Sequence, residues 1–72
     1  MTSKEKVKQV YPEARYFRDW RNHHWYGCVF FRSASLHGAG TVIGEVPVDR
    51  ESWAWADAWR NIQRRVREIT NG

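Results

Sequence analysis

The chain lacks most of the devices that hold a small fold together from outside its core. One cysteine, Cys28, stands among 72 residues, so an internal disulfide is excluded, and so is a cysteine-rich zinc site. Two prolines and five glycines leave no Pro- or Gly-rich tract, and no repeat, low-complexity stretch or interdomain linker interrupts the sequence. No apolar run approaches the roughly 20 residues of a membrane-spanning helix. The polar "TSKEK" after Met1 lacks the apolar segment of a secretory signal. These absences predict a soluble, cytoplasmic protein with no membrane partner, folded as a single small domain over residues 1–72.

Side chains that carry chemistry are equally sparse. His23, His24, His37 and Cys28, with Asp19, are the candidates for metal or nucleophilic work. Neighbouring histidines in an extended chain point to opposite sides, so His23 and His24 would not chelate one ion without a special turn. Titrating histidines in a surface turn are the plainer expectation. Cys28 sits mid-strand among aromatics, where a thiol behaves as a small inert hydrophobe. No Ser-His-Asp order or paired-carboxylate motif can be assembled, and "GAGTVIG" lacks the lysine and spacing of a phosphate loop. A protein that is not an enzyme is expected, without metal, cofactor or small-molecule substrate.

What the chain does have is aromatic surface and positive charge. Five Trp, three Tyr and three Phe are present, each able to remove roughly 150–250 Å² from water when buried. Twelve Lys and Arg against eight Asp and Glu give a net charge of +4, which favours nucleic acid or an acidic protein surface as partner.

Periodicity predicts five elements. "TSKEKVKQVYP" carries Val7, Val10 and Tyr11 at helical spacing, with Thr2 and Glu5 placed as a capping box and Pro12 as the stop. "EARYFRDW" and "WYGCVFF" are rich in aromatic and β-branched residues, with "RNHH" between them as a hairpin connection. "SASLHGAG" marks a loop, "TVIGEV" a third strand closed by Pro47, and a long helix runs from Asp49 to about Thr70 before "NG". The expected fold is therefore α+β in the order α-β-β-β-α, a three-stranded antiparallel sheet with the long C-terminal helix packed on one face.

The long helix offers its apolar stripe as core: Trp55, Ala58, Trp59, Ile62, Val66 and Ile69 recur at spacings of three and four. The second strand is apolar on both sides, with Tyr26, Cys28 and Phe30 pointing one way and Trp25, Val29 and Phe31 the other. One helical layer covers one side, so either the first helix covers the other or an aromatic face remains there. Trp25, Val29 and Phe31 are the residues expected to remain on the face opposite the long helix, where they would dock a protein partner or a second copy of the chain. Trp53 falls outside the stripe, about 160° from Trp55 on a helical wheel, beside Arg60, Arg64 and Arg67. An indole next to guanidinium groups can stack a base and neutralise phosphates, so these four residues define an alternative nucleic-acid surface. With Asp49 as N-cap, however, Val48 and Trp53 hold the two positions that meet as a hydrophobic staple, which is the favoured reading of Trp53.

Two resemblances bear on these expectations. The α-β-β-β-α order is similar to the double-stranded RNA-binding domain, which grips phosphates with a lysine-rich run at the start of its second helix. Here "DRESWA" stands in that place with Arg50 as its one basic residue and Glu51 opposing it, so the topology carries over and the RNA-binding residues do not. Over most of its length the chain also resembles short proteins encoded by phages and prophages, through "KVKQVYPEA", aromatic strands and "ESWAWADAWRNI", with Glu51, Trp55, Asp57 and Ala58 in matching places. That resemblance implies the fold and, for a phage-encoded chain, the host cytoplasm. It implies no activity and no functional residues.

Overall fold

A computed structural model describes residues 1–32 and 40–71, with positions 32, 40 and 66–71 described by their backbone alone. Helix α1 spans Ser3–Val10, strands β1, β2 and β3 span Arg15–Arg21, His24–Arg32 and Gly40–Val46, and helix α2 spans Glu51–Asn71. The strands form an antiparallel sheet in the order β1-β2-β3, so the fold is α+β with the expected element order. Within the described residues, no helix is long and apolar enough to cross a membrane.

Local chemistry sets the element ends. Thr2 caps α1, its hydroxyl accepting the Glu5 N–H at 3.2 Å, which satisfies one of the free donors of the first turn. The helix ends where the Tyr11 N–H reaches the Val7 carbonyl at 2.8 Å, just before Pro12. Val7 turns fully inward, while Val10 remains half exposed. Between β1 and β2 the chain reverses in two residues, Asn22 and His23, both with positive φ (52° and 66°). That is the twist-matched hairpin turn in which asparagine sits comfortably at the first position.

Both helices lie on the same side of the sheet. Val7 of α1 belongs to the core with Val29, Ile43, Ala54, Trp55, Ala58 and Ile62, and Tyr11, Tyr16, Phe31, Val46 and Trp59 pack around it. Tyr11 stacks on Phe31 with ring centroids 4.3 Å apart. Lys4 and Lys6 lay their ammonium groups over the Trp55 and Trp59 rings at 5.9 and 5.8 Å. The first helix therefore does not cover the second face of the sheet; it walls in Trp55 and Trp59 of α2. Of the expected stripe on α2, Trp55, Ala58, Trp59 and Ile62 take their places and Ala54 joins them, whereas the side chains of Val66 and Ile69 lie outside the described residues.

The closest approach of helix to sheet occurs at Gly44. A side-chain carbon there would stand 2.6 Å from the Ala58 nitrogen and 2.8 Å from both the Ala54 carbonyl oxygen and the Ala58 Cα. Only hydrogen fits between the two backbones, and the two alanines keep the helix surface flat at that point. The β2–β3 register shifts just before it, Val29 pairing with Gly44 and Phe30 with Val42. The extra residue, Ile43, is buried in the core, which is the re-aiming that a β-bulge performs.

Two side chains of α2 then reach the outer edge of β3. The Glu45 N–H donates to the Asp57 carboxylate at 3.0 Å, and the Asn61 amide donates to the Ile43 carbonyl at 2.8 Å. Backbone groups that an edge strand would otherwise offer to another chain are thereby occupied. The start of α2 also differs from expectation. The Ala54 N–H bonds to the Arg50 carbonyl at 3.2 Å, so Arg50 holds the N-cap position. Asp49 instead accepts hydrogen bonds from the Tyr16 hydroxyl at 3.2 Å and from Arg18 at 2.9 Å. The cap moves by one residue, which places Ala54 rather than Trp53 at the staple position.

Gly44→Ala is expected to destabilise the fold by about 2–3 kcal/mol, the cost of pushing a packed helix off the sheet. Urea unfolding followed by circular dichroism measures it. Ser in place of Ala should do the same, since the obstacle is the Cβ and not the polarity.

Candidate interaction surface

Alternation along the strands sorts every side chain onto one of two faces. Tyr16, Arg18 and Trp20 of β1 share the helix side with Trp25, Gly27, Val29 and Phe31 of β2. Trp25, Val29 and Phe31, expected on the face away from the long helix, are thus on the covered side. Val29 is 0% exposed in the middle of the core, and Phe31 is stacked under Tyr11. Of the three, Trp25 is the exposed one, at 41%, at the hairpin end of the sheet. It has company there. Trp20 packs edge-on against it with centroids 5.2 Å apart and is itself 56% exposed, and Arg18, held by Asp49, lies over the Trp25 ring at 4.9 Å.

The face away from the helices is built from the other register set. Phe17 and Phe30 meet edge to face at 5.1 Å. His24 tilts against Tyr26 at 4.3 Å, and the Arg21 guanidinium lies over Tyr26 at 4.4 Å. Val42, opposite Phe30, is 53% exposed. No described helix packs on this face. Charge runs through it in a paired form: Arg21 bonds Asp19 at 2.7 Å and also Glu45, and these partners raise its affinity for its proton, the Glu45 hydrogen bond most of all. The result is an apolar aromatic row crossed by a cluster of one guanidinium and two carboxylates.

Cys28 lies on that open face yet is only 1% exposed, roofed by its aromatic and charged neighbours. Its thiol donates to the Glu45 carboxylate at 3.4 Å. Burial foremost, then the hydrogen bond to Glu45 and its charge, push its pKa up to about 11, so at neutral pH it is a protonated thiol and no nucleophile. Tyr16, on the other face, is also raised, by burial and then by its bond to Asp49. The two described histidines do not converge on one site: His23 stands in the turn and His24 Nδ1 is 3.3 Å from the Asn22 carbonyl, while His37 lies outside the described residues. Among the described residues no group of three or more His, Cys, Asp or Glu side chains is placed to hold a metal ion.

The alternative surface on α2 is present in part. Trp53 is 52% exposed, and its ring is covered by the Arg50 guanidinium at 5.0 Å. Arg60 is exposed and shares Asp57 at 3.8 Å, Arg64 is exposed, and the side chain of Arg67 lies outside the described residues. What the sequence did not signal is the Trp20–Trp25 pair, whose partners are fixed only once the hairpin register is known. Neither a protein-family model, nor a curated protein, nor a solved structure matches this chain.

The raised thiol sets a pH test. Below about pH 9 the folded and unfolded thiol are both protonated and contribute no slope; between about 9 and 11 the unfolded chain releases its proton first and stability falls. Cys28→Ala should remove that part of the alkaline loss. At pH 8 the native thiol should react with an aromatic disulfide about a hundredfold more slowly than the unfolded chain, from thiolate fraction alone.

Proposed function

We propose that this chain is a non-enzymatic interaction protein of the small type that phages encode, docking a protein through the aromatic face of its sheet. The observation that carries the reading is the open face itself. Phe17, Tyr26, Phe30 and the half-exposed Val42 form an apolar row on a sheet whose other side already carries both helices. Its charges are largely satisfied by one another, so the surface is suited to a desolvated protein interface with aromatic anchors more than to a polyanion.

Val42→Asp tests it without touching the core. The variant should keep the wild-type circular dichroism. Wild-type chain immobilised in nuclease-treated host lysate should retain a partner protein, and Val42→Asp should reduce that retention about tenfold or more, as a charge in an apolar hot spot does. Equal retention by the variant, or retention lost on nuclease treatment, would overturn the proposal.

One observation favours a second reading. Trp53 and Arg50 form an exposed stacked pair at the start of α2 with Arg60 and Arg64 on the same helix, an arrangement that can hold single-stranded nucleic acid. That reading expects weak binding that declines steeply with salt and disappears in Arg60→Glu with Arg64→Glu. Absence of oligonucleotide-induced change in tryptophan fluorescence at low salt would exclude it.

A further inference from the structure

The two edges of the sheet are treated differently. On β3, Asp57 and Asn61 occupy the outward Glu45 N–H and Ile43 carbonyl. On β1 no described residue does the same. The two-residue turn makes Arg21 and His24 the first hydrogen-bonded pair of the hairpin, so pairing alternates along the strand and Tyr16, Arg18 and Trp20 direct their N–H and C=O groups outward. A seven-residue edge with three residues' worth of unused backbone bonds is a template for strand addition.

The side chains of β1 select what would be added. When β1 is laid antiparallel against a copy of itself, any register with a residue on the two-fold axis keeps like faces together, and those that overlap most of the strand centre on Phe17, Arg18 or Asp19. Centring on Arg18 opposes Arg18 to itself and Arg15 to Arg21; centring on Asp19 opposes two carboxylates. Centring on Phe17 is complementary throughout. Arg15 meets the second copy's Asp19 on the open face, twice by symmetry. Phe17 meets Phe17 and joins the two Phe17–Phe30 pairs into one aromatic row, and Tyr16 meets Arg18 as a hydrogen-bonded pair of backbones.

That register also finds a place for the exposed indole. It sets Trp20 opposite the second copy's Ala14 on the helix side. Ala14 and Tyr16 there line a cleft of about 430 Å³ between the helices and the start of β1, bounded by Lys4, Lys8 and Trp55. The recess is mixed, its lysines standing beside the Glu13 and Glu51 carboxylates with Trp55 and Tyr16, so an indole that protrudes from one copy meets there ring edges for contact, ammonium groups for its face and carboxylates for its N–H.

We propose that two copies of this chain pair through their β1 edges, centred on Phe17, to form a continuous six-stranded sheet in which each Trp20 enters the other copy's cleft beside Ala14. The inference deepens the interaction-protein reading by naming a second copy as one partner. It uses the edge and the helix side, not the Val42 end of the open face.

Site-directed cross-linking tests the register. In a Cys28→Ser background, which removes the thiol facing residue 17 on β2, Phe17→Cys should oxidise to a covalent dimer on a non-reducing gel. Arg18→Cys and Asp19→Cys under the same conditions should not, because a non-hydrogen-bonded pair on the axis is the one within disulfide reach. In parallel, sedimentation equilibrium should show a dimer of the unmodified chain, weakened about tenfold by Asp19→Arg and restored by Arg15→Asp with Asp19→Arg. A wild-type chain monomeric up to its solubility limit, linkage through 18 or 19 instead of 17, or indifference to Asp19→Arg would each overturn the proposal. Val42→Asp should leave the dimer intact, so failure of the dimer and failure of sheet-face docking are read separately.

Discussion

Everything on the helix side is referred to the contact between Gly44 and the α2 backbone at Ala54 and Ala58. Because no side chain intervenes, the helix axis sits close to β3, and residues three and seven positions beyond Ala54 come within reach of the strand edge. Asp57 and Asn61 are those residues, and short polar side chains can bond β3 only because the helix lies so near. The same closeness fixes the rotation of α2, turning Trp55 into the core and Trp53 out of it. The tight contact is thus a positioning device as well as a packing one, since a helix raised by one methyl group would lose its hold on the edge.

The aromatic residues divide by what happens to their polar handles. Trp55 is almost wholly buried and gives its ring N–H to Glu51 at 3.0 Å, while Lys4 bridges to the same carboxylate at 3.7 Å. A buried indole with its donor satisfied stabilises a chain this short. Trp20, Trp25 and Trp53 are shielded instead by each other or by an arginine laid over the ring. Such rings cannot be contributing their full area to folding. Their arrangement at the hairpin end and the helix start leaves apolar area in reserve for association, which is where aromatic and arginine side chains concentrate in interfaces.

Much of the fold is legible in the sequence, because its signals are local. Thr2 and Glu5 mark the first helix, "RNHH" marks the turn, and the spacing of Trp55, Ala58, Trp59 and Ile62 marks the buried stripe. The face of β2 is not legible by alternation, since both its sides are apolar. The deciding signal was small residues: Gly27 and Gly44 share a face with Val29, and a strand glycine marks the side on which another backbone comes close. The one-residue displacement of the α2 cap was hidden as well. Asp49 is a good N-cap by type, and nothing near it in sequence reveals that Tyr16 and Arg18, more than thirty positions away, compete for its carboxylate.

The treatment of the β3 edge limits growth as well as contact. A sheet with two free edges can add copies at both ends without limit, as fibrils do, and a strongly aromatic chain is at particular risk of that. Here Asp57 and Asn61 take the outward Glu45 N–H and Ile43 carbonyl of one edge, so the proposed pairing through β1 would have a single direction and end after one step. A chain that pairs in this way would carry an aromatic hairpin at high local concentration and still have a finite stoichiometry, with the stop signal encoded in two polar residues of the helix and not in the strands that would associate.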